Sequence, residues 1–392
     1  MNSEASKSEY KQAIASYLGS GPENISLFWK GRIAFYGILK ALGIGPGDEV
    51  IIPAFTCVVV PNAILYLGAV PVYVDIDPVT FNINPALVEE KISSRTKVIL
   101  AQNTFGLSAD MDALLEIGNR RGVHVVEDCT HGIGGMYKGR KNGTLAKASF
   151  FSTQWNKPFS TGLGGFASVE KSLIGSMQAF EASCFQPSWK DVELLRALIA
   201  VRNRISGSSL YWQAIHLYRA LSKWKFFTGS SSADELIGTQ MPDDYLEGIS
   251  SLQCKAGTEG LKHLDENVKH QREIAARYTK FLNAFSVRLP EEPEGYYHSY
   301  LKYPLLVSDR KLFLQLAEKN QVEMGDWFLS PIHPVTENLE CWKYIPGSCK
   351  IAERVSSQIV NLPTNRSTGE KQLKAIFDFL EKHHHLLVKN KS

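Results

Sequence analysis

The sequence is short of several things, and each shortage closes off a class of function. It lacks an excess of charge of one sign: 43 Lys and Arg face 40 Asp and Glu, for a formal net charge of +3 over 392 residues. A nucleic-acid-binding chain clusters Lys and Arg on one face or stripe, and no such footprint shows, so no nucleic-acid partner is expected. Cysteine is sparse. The six cysteines at 57, 129, 184, 254, 341 and 349 form no C-x-x-C pair, and no histidine spacing completes a zinc pattern. They read as reduced thiols of a cytoplasmic protein, with no metal site. His383 to His385 read as a solvated helix end. A long unbroken apolar run is also absent. The most apolar stretch, Phe55 to Val74, is interrupted by Pro61, Asn62, Gly68 and Pro71, and Asp75 follows it. A bilayer span takes about 20 mostly apolar residues. A buried helix followed by a buried strand is the expectation there, and membrane association is not expected. The opening residues MNSEASKSEYKQ are polar and mixed in charge, unlike a secretory signal. No internal repeat or low-complexity segment stands out.

What is present is an ordinary globular balance, 44% hydrophobic and 21% charged. From about residue 25 to 170, strand-like and helix-like pieces alternate. Arg32 to Leu42 reads as a helix ended by Gly43, and Gly-Pro-Gly-Asp at 45–48 as a turn. Glu49–Pro53, Val70–Val74, Lys97–Ala101 and His124–Glu127 read as short buried strands, with an amphipathic helix over Met111–Arg121 before the last. Such alternation predicts crossover units and a mostly parallel sheet covered on both faces. In these sheets the active site gathers at the C-terminal ends of the strands. Residues 171–240 read as largely helical, carrying Trp189, Trp212 and Trp224 among basic residues, with an exposed loop at 229–233. From about 245 a long amphipathic helix to about Asn283, short strands near 301–307 and closing helices suit a smaller α/β unit.

Several residues stand where chemistry is done. Lys157 follows a buried-looking run (ASFFS) and precedes a glycine-rich turn, Thr161-Gly-Leu-Gly-Gly165. Taken alone it reads as a surface lysine, since most lysines are exposed; its surroundings reverse that. Asp128 follows the strand HVVE, where either a functional carboxylate or a turn or cap aspartate fits. Gly31 and Arg32 open the first long helix, whose free N–H groups suit a phosphate, although a plain helix start reads the same way. Arg32 offers a charge-assisted bond, and Ser152 a hydroxyl. His131 is either a contact to a bound ring or a structural histidine. Together these meet the needs of pyridoxal phosphate (PLP): an amine for its aldehyde, a carboxylate for its ring nitrogen, a phosphate cradle and something against the ring.

The runs GPGDEVIIPAFTCVVVPNAILYLGAVPVYVDIDPVTFNI, VVEDCTHGIGGMYKGRKNGTL and SFFSTQWNKPFSTGLGG resemble the DegT–DnrJ–StrS family of sugar aminotransferases. The spacing of Ser152, Lys157 and Thr161-Gly162 is similar to that family's Schiff-base motif, and Glu127-Asp128 with His131 to its E-D-x-x-H/Q motif. Leu252-Gln253 with Gly257 and Leu261, Ser330-Pro-Ile-His333 and Val360-Asn-Leu-Pro363 are further similar pieces. The resemblance implies a fold type I PLP-dependent transferase. It would have a large domain over residues 1–245, with a mostly parallel seven-stranded sheet flanked by helices. The helical segment at about 171–240 is longer than the family's pattern and reads as an insertion for extra packing or a dimer contact, with a lid over the substrate or a basic-aromatic face for a membrane surface as the other readings. A smaller C-terminal α/β domain would follow over 246–392. It implies a cytoplasmic homodimer that moves an amino group, usually from L-glutamate, to a keto-sugar carried on a nucleotide, in making amino sugars or surface polysaccharide such as lipopolysaccharide.

The roles it implies are Lys157 as the Schiff-base lysine and proton shuttle and Asp128 on the pyridine nitrogen. Gly31, Arg32 and Ser152 would hold the phosphate, His131 would lie by the ring and His333 near the sugar. Cys57 stands where the family often has a ring-stacking aromatic, and Leu246-Glu247-Gly248 where it has N-Y-R. Related sugar dehydratases carry histidine at the position of Lys157. An acceptor other than a sugar, such as a cyclitol, and a non-catalytic regulator that binds PLP or a sugar are the competing readings.

Overall fold

The computed structural model describes residues 3–205 and 233–390. The chain opens with helix α1 (Ser3–Leu18), strand β1 (Ile25–Phe28) and helix α2 (Gly31–Ala41). Then come β2 (Glu49–Pro53), β3 (Thr56–Cys57), α3 (Val59–Leu65), β4 (Val70–Val74), α4 (Pro85–Lys91), β5 (Thr96–Gln102), α5 (Met111–Arg121) and β6 (His124–Asp128). The hairpin strands β7 (Met136–Tyr137) and β8 (Arg140–Lys141) precede β9 (Ala148–Ser152) and β10 (Gly165–Val169). Seven strands make the central sheet in the order β1-β10-β9-β6-β5-β2-β4. The pairs from β9 to β4 are parallel, and β10 runs antiparallel to both of its neighbours. The expected mostly parallel seven-stranded sheet is what the chain forms.

The sheet is buried on both faces, which is why its strands read as near-continuous apolar runs. Alternate residues serve opposite cores. Val50 and Ile52 of β2 join Val98 and Leu100 of β5 against α2 and α3. Ile51, Ile99 and Val125 face the other way, onto Val88 of α4 and Met111, Leu114 and Ile117 of α5. The interrupted apolar stretch resolves as expected into α3 and β4. Asp110 caps α5 by accepting from Ala113 N, and Gly122 closes that helix at φ +68°.

After β10 come α6 (Ile174–Ser183), α7 (Trp189–Ile205) and the short α8 (Ala233–Ile237). Trp189 is exposed. Trp212, Trp224 and residues 229–232 of the expected loop lie outside the described residues, and Ala233 already belongs to α8. The single long helix expected from 245 to 283 is instead two, α9 (Ser251–Leu261) and α10 (Leu264–Leu282). Gly257 and Gly260 are the reason. A Cβ at Gly257 would meet the Tyr10 ring at 2.3 Å, and one at Gly260 would meet Phe159 at 3.2 Å. Glycine at both positions lets α9 lie close against α1 and the Lys157 loop, but it weakens the helix, which ends one residue later.

The C-terminal segment adds β11 (Tyr296–Tyr297), β12 (Tyr303–Leu306), α11 (Arg310–Lys319), β13 (Ile332–His333), α12 (Lys350–Gln358), β14 (Ile359–Leu362) and α13 (Glu370–Lys382). β12 and β14 pair antiparallel over their own core, with Ile274 and Tyr278 of α10, Phe313 of α11 and Leu373 and Ile376 of α13. Residues 332–359 turn back onto the first core through Ile332, Trp342, Tyr344 and Val355. His383 is buried against Phe379, so it does not belong to a solvated helix end; His384 and His385 are exposed. All six cysteines are free thiols. Among the described residues no helix is long and apolar enough to cross a membrane, and no cluster of His, Cys, Asp or Glu could hold a metal ion.

Candidate active site

The site is built where β6 and β9 end and α2 begins. Gly31 sits so close to the end of β9 that a Cβ there would lie 2.7 Å from the carbonyl oxygen of Phe151 and 3.2 Å from Cα and Cβ of Ser152. Gly165, opposite Ser152 on β10, is tighter still: its Cβ would lie 2.2 Å from Gly31 Cα. Phe151 and Phe166 stack beneath this contact with ring centroids 4.3 Å apart. Two glycines thus bring the first turn of an eleven-residue helix against a serine hydroxyl. Lys30, the residue before the helix, gives no side-chain cap. Backbone N–H groups at an uncapped helix start are a ready seat for a phosphate.

Arg32 is placed differently from expectation. Its guanidinium pairs with the buried Glu235 carboxylate, and Glu235 is held in turn by Asn62, whose Nδ2 donates to its carbonyl at 2.8 Å. Burial works against the Arg32 charge, but Glu235 outweighs it and holds the guanidinium pKa above its ordinary value.

Lys157 lies on a loop that closes on itself. Thr153 N donates to Gly164 O at 2.9 Å, Thr161 N to Thr153 O at 2.8 Å, and the two threonine hydroxyls meet at 2.7 Å. The closure requires glycine at 164, where φ is +155° and a Cβ would lie 2.2 Å from the Thr161 hydroxyl. Two side chains pin the loop from outside. Gln253 Nε2 donates to Leu163 O at 2.8 Å, and Asn267 Nδ2 to Pro158 O at 2.6 Å. Burial pushes the Lys157 ammonium down to about 8; Asp128 and Cys57 pull it up, and Lys302 pushes it lower. A lysine so perturbed, near a carboxylate, is a functional-site signature.

Asp128 closes β6 and is buried. Burial pushes its carboxyl up, while the Thr130 N–H at 2.9 Å and the Lys157 charge pull it back. The neighbouring Glu127 points the other way. It accepts from the N–H groups of Gly143, Leu145 and Ala146 at 2.8, 2.7 and 3.0 Å, so it holds the turn below the sheet.

His131 is buried, and its Nδ1 accepts from Phe105 N at 3.3 Å. Burial and the charges of Lys157 and Lys302 keep its pKa well below the usual range, so the ring is neutral and the proton resides on Nε2. Its ring lies parallel to that of Trp327, 5.0 Å away and inclined by 6°. Trp327 is held in turn by Asn361 of β14, whose Oδ1 accepts from Trp327 N at 2.9 Å.

His333 reaches the same place because β13 pairs parallel with β3, setting His333 beside Cys57. Its Nδ1 accepts from Leu329 N at 3.1 Å, its ring centroid lies 5.4 Å from that of Phe328, and burial lowers its pKa.

The structure thus brings Lys157, Asp128, His131 and His333 near one another, and Gly31 and Ser152 together at the end of β9. Trp327, Lys302 and Glu235 are additions that the sequence reading did not single out. The nearness of Trp327 to the Ser330-Pro-Ile-His333 motif was a usable signal. Nothing local marks Lys302 or Glu235.

These residues fit PLP. A perturbed amine, a buried carboxylate, a helix start that a Cβ would fill and a neutral histidine are the donors that cofactor asks for.

The profile of the DegT/DnrJ/EryC1/StrS aminotransferase family matches residues 5–206 and 245–381. A GDP-perosamine synthase of Caulobacter vibrioides is 37% identical over 181 residues, 46% of this chain and 48% of that one. A pleiotropic regulatory protein of Geobacillus stearothermophilus is 29% identical over 350 residues, 87% of this chain and 80% of its own length. Among solved structures, NtdA of Bacillus subtilis with bound cofactor PMP shares the fold at a TM-score of 0.72 and 24% identity, covering 96% of this chain and 76% of that one.

Proposed function

Because the chain belongs to the DegT/DnrJ/EryC1/StrS aminotransferase family, we propose that it moves an amino group from an amino acid to the ketone of a nucleotide-linked sugar. PLP is its cofactor. The observation that carries this reading is Lys157, its ammonium pushed down to about 8 beside the buried Asp128 carboxylate. The nucleotide is supported by the GDP-perosamine synthase likeness.

In this reading Lys157 holds the cofactor aldehyde, Asp128 keeps the ring nitrogen protonated, and the Gly31 and Arg32 N–H groups with the Ser152 hydroxyl hold the phosphate. The Arg32 side chain would reach the phosphate only by leaving Glu235. His131 would lie by the ring, and His333 near the sugar. PLP supplies an electron sink that makes a neighbouring carbon acidic. The amine of Lys157 takes the proton from the donor's α-carbon and delivers one on the acceptor side. A pKa of about 8 lets it serve both as base and as acid near neutrality.

L-glutamate as donor, a homodimer with sites between subunits, a cytoplasmic location and a division into residues 1–245 and 246–392 complete the proposal. Cys254, Leu264 and Val268 tie the start of the second unit to α1 of the first. The regulatory name of the Geobacillus relative does not displace the enzyme reading, since Lys157 and Asp128 are both present. Lysine at 157 likewise speaks against the dehydratase reaction.

The test is the absorbance spectrum of the purified protein before and after L-glutamate. A PLP band that L-glutamate converts to the pyridoxamine form, with release of 2-oxoglutarate, supports the reading. A protein that stays colourless with added PLP overturns it. Nucleotide keto-sugars then compete with cyclitol ketones as acceptors for the amino group.

A further inference from the structure

One ring in the site serves two lysines. Lys157 Nζ lies 5.1 Å from the centroid of Trp327, and Lys302 Nζ lies 5.7 Å from the same centroid. Both distances are in the range of cation–π contact. Lys302 leads into β12, directly before the buried Tyr303. Among the described residues it makes no hydrogen bond and no ion pair. The acidic groups that act on it, Glu323 and Asp326, stay beyond ion-pair reach, and Glu323 already accepts from Gln372 at 3.0 Å. Its positive charge is felt by Lys157 and by His131. Two cations therefore share one aromatic ring, with the Asp128 carboxylate acting on Lys157 and only the more distant Glu323 and Asp326 acting on Lys302. A further anion placed there would relieve the like-charge repulsion.

We propose that Lys302, resting on Trp327, is the seat for the α-carboxylate of the amino donor. The inference rests on the aminotransferase reading and names a binding residue for it. Connectivity selects this anion. The donor's amine must react where the Lys157 amine stands, and its α-carboxylate is one carbon away. The diphosphate of a sugar nucleotide hangs from the anomeric carbon, further along the sugar from the reacting ketone, so it falls outside a seat next to Lys157. Trp327 gives the same seat a second use. Once the keto acid has left, its face accepts the C–H surface of a neutral sugar ring, while Lys302 returns to the cation–π contact. One seat thus serves the donor's carboxylate and the acceptor's uncharged sugar ring in turn.

The test uses the PLP-loaded protein and the variants Lys302→Met, Lys302→Gln and Lys302→Arg. L-glutamate is titrated against the PLP band. Loss of a charge-assisted bond raises the half-saturating concentration about 10- to 100-fold in Lys302→Met, and Lys302→Arg restores most of it. Two readouts do not depend on turnover. Succinate, a dicarboxylate without an amine, binds the loaded wild type and loses about tenfold or more in Lys302→Met, measured by calorimetry. The pH midpoint of the PLP band rises in the same variant, because a neighbouring positive charge has gone. Should Lys302→Met fail to fold, Lys302→Gln carries the same test. Unchanged glutamate and succinate affinities in a variant that keeps its PLP band overturn the proposal and leave the aminotransferase reading standing. A wild type that shows no PLP band, or one that L-glutamate does not alter, overturns both.

Discussion

The amine of Lys157 gives the most quantitative prediction. With its ammonium at about 8, about one-tenth of the amine is neutral at pH 7, against about 0.03% for a lysine at the ordinary 10.5. That is roughly a 300-fold larger reactive fraction. The perturbation to apply is Asp128→Asn in cofactor-free protein. The Asp128 charge is the strongest influence favouring the Lys157 ammonium, so its removal moves the midpoint further down. The assay is the initial rate of labelling by an amine-specific reagent from about pH 6 to about pH 11, read at the Lys157 peptide by mass spectrometry. Exposed lysines such as Lys319 in the same digest standardise the reagent. A wild-type midpoint near 8 that falls in Asp128→Asn supports the reasoning. A wild-type midpoint near 10.5, or one that rises in the variant, refutes it.

The same shift has a consequence for stability. The unfolded chain binds the Lys157 proton more tightly than the folded one, so the cost is full below about 8 and vanishes as pH rises through 10.5. Cofactor-free Lys157→Met should therefore melt higher than wild type at pH 7, by at most about 3 kcal/mol, and calorimetric scans should show the gap closing towards pH 10.5. Gly165→Ala forces a Cβ to 2.2 Å from Gly31 Cα, backbone against backbone. It should cost about 3 kcal/mol or more in denaturant unfolding and weaken PLP retention measured by dialysis. Glu127→Gln replaces a carboxylate that accepts three backbone N–H groups. It should lower stability by about 1–3 kcal/mol while turnover per PLP-bound subunit stays near wild type.

Much of the sheet could be read directly from the sequence. The runs at Glu49–Pro53 and Val70–Val74 are short, apolar, bounded by turn residues and buried on both faces, so their limits coincide with the observed strands. Lys157 and Asp128 were legible because each sits at a fixed point of local structure, one in a glycine-closed loop and the other at a strand end. The rest depends on contacts distant in sequence. The break after α9 comes from the fit of Gly257 to Tyr10 and of Gly260 to Phe159. Arg32 looked available to a phosphate until Glu235 arrived from another part of the chain. His383 is buried because Phe379, one helical turn earlier, carries it onto the second core. Trp327 and Lys302 enter the site only through the pairings of β12 with β14 and of β13 with β3.

Whether Lys157 carries the cofactor is decided by reducing the purified protein with borohydride and locating the covalently fixed PLP by peptide mass spectrometry. One labelled peptide is expected, the one containing Lys157, and it disappears in Lys157→Ala. PLP fixed at another lysine, or label that survives in Lys157→Ala, would contradict the assignment to Lys157.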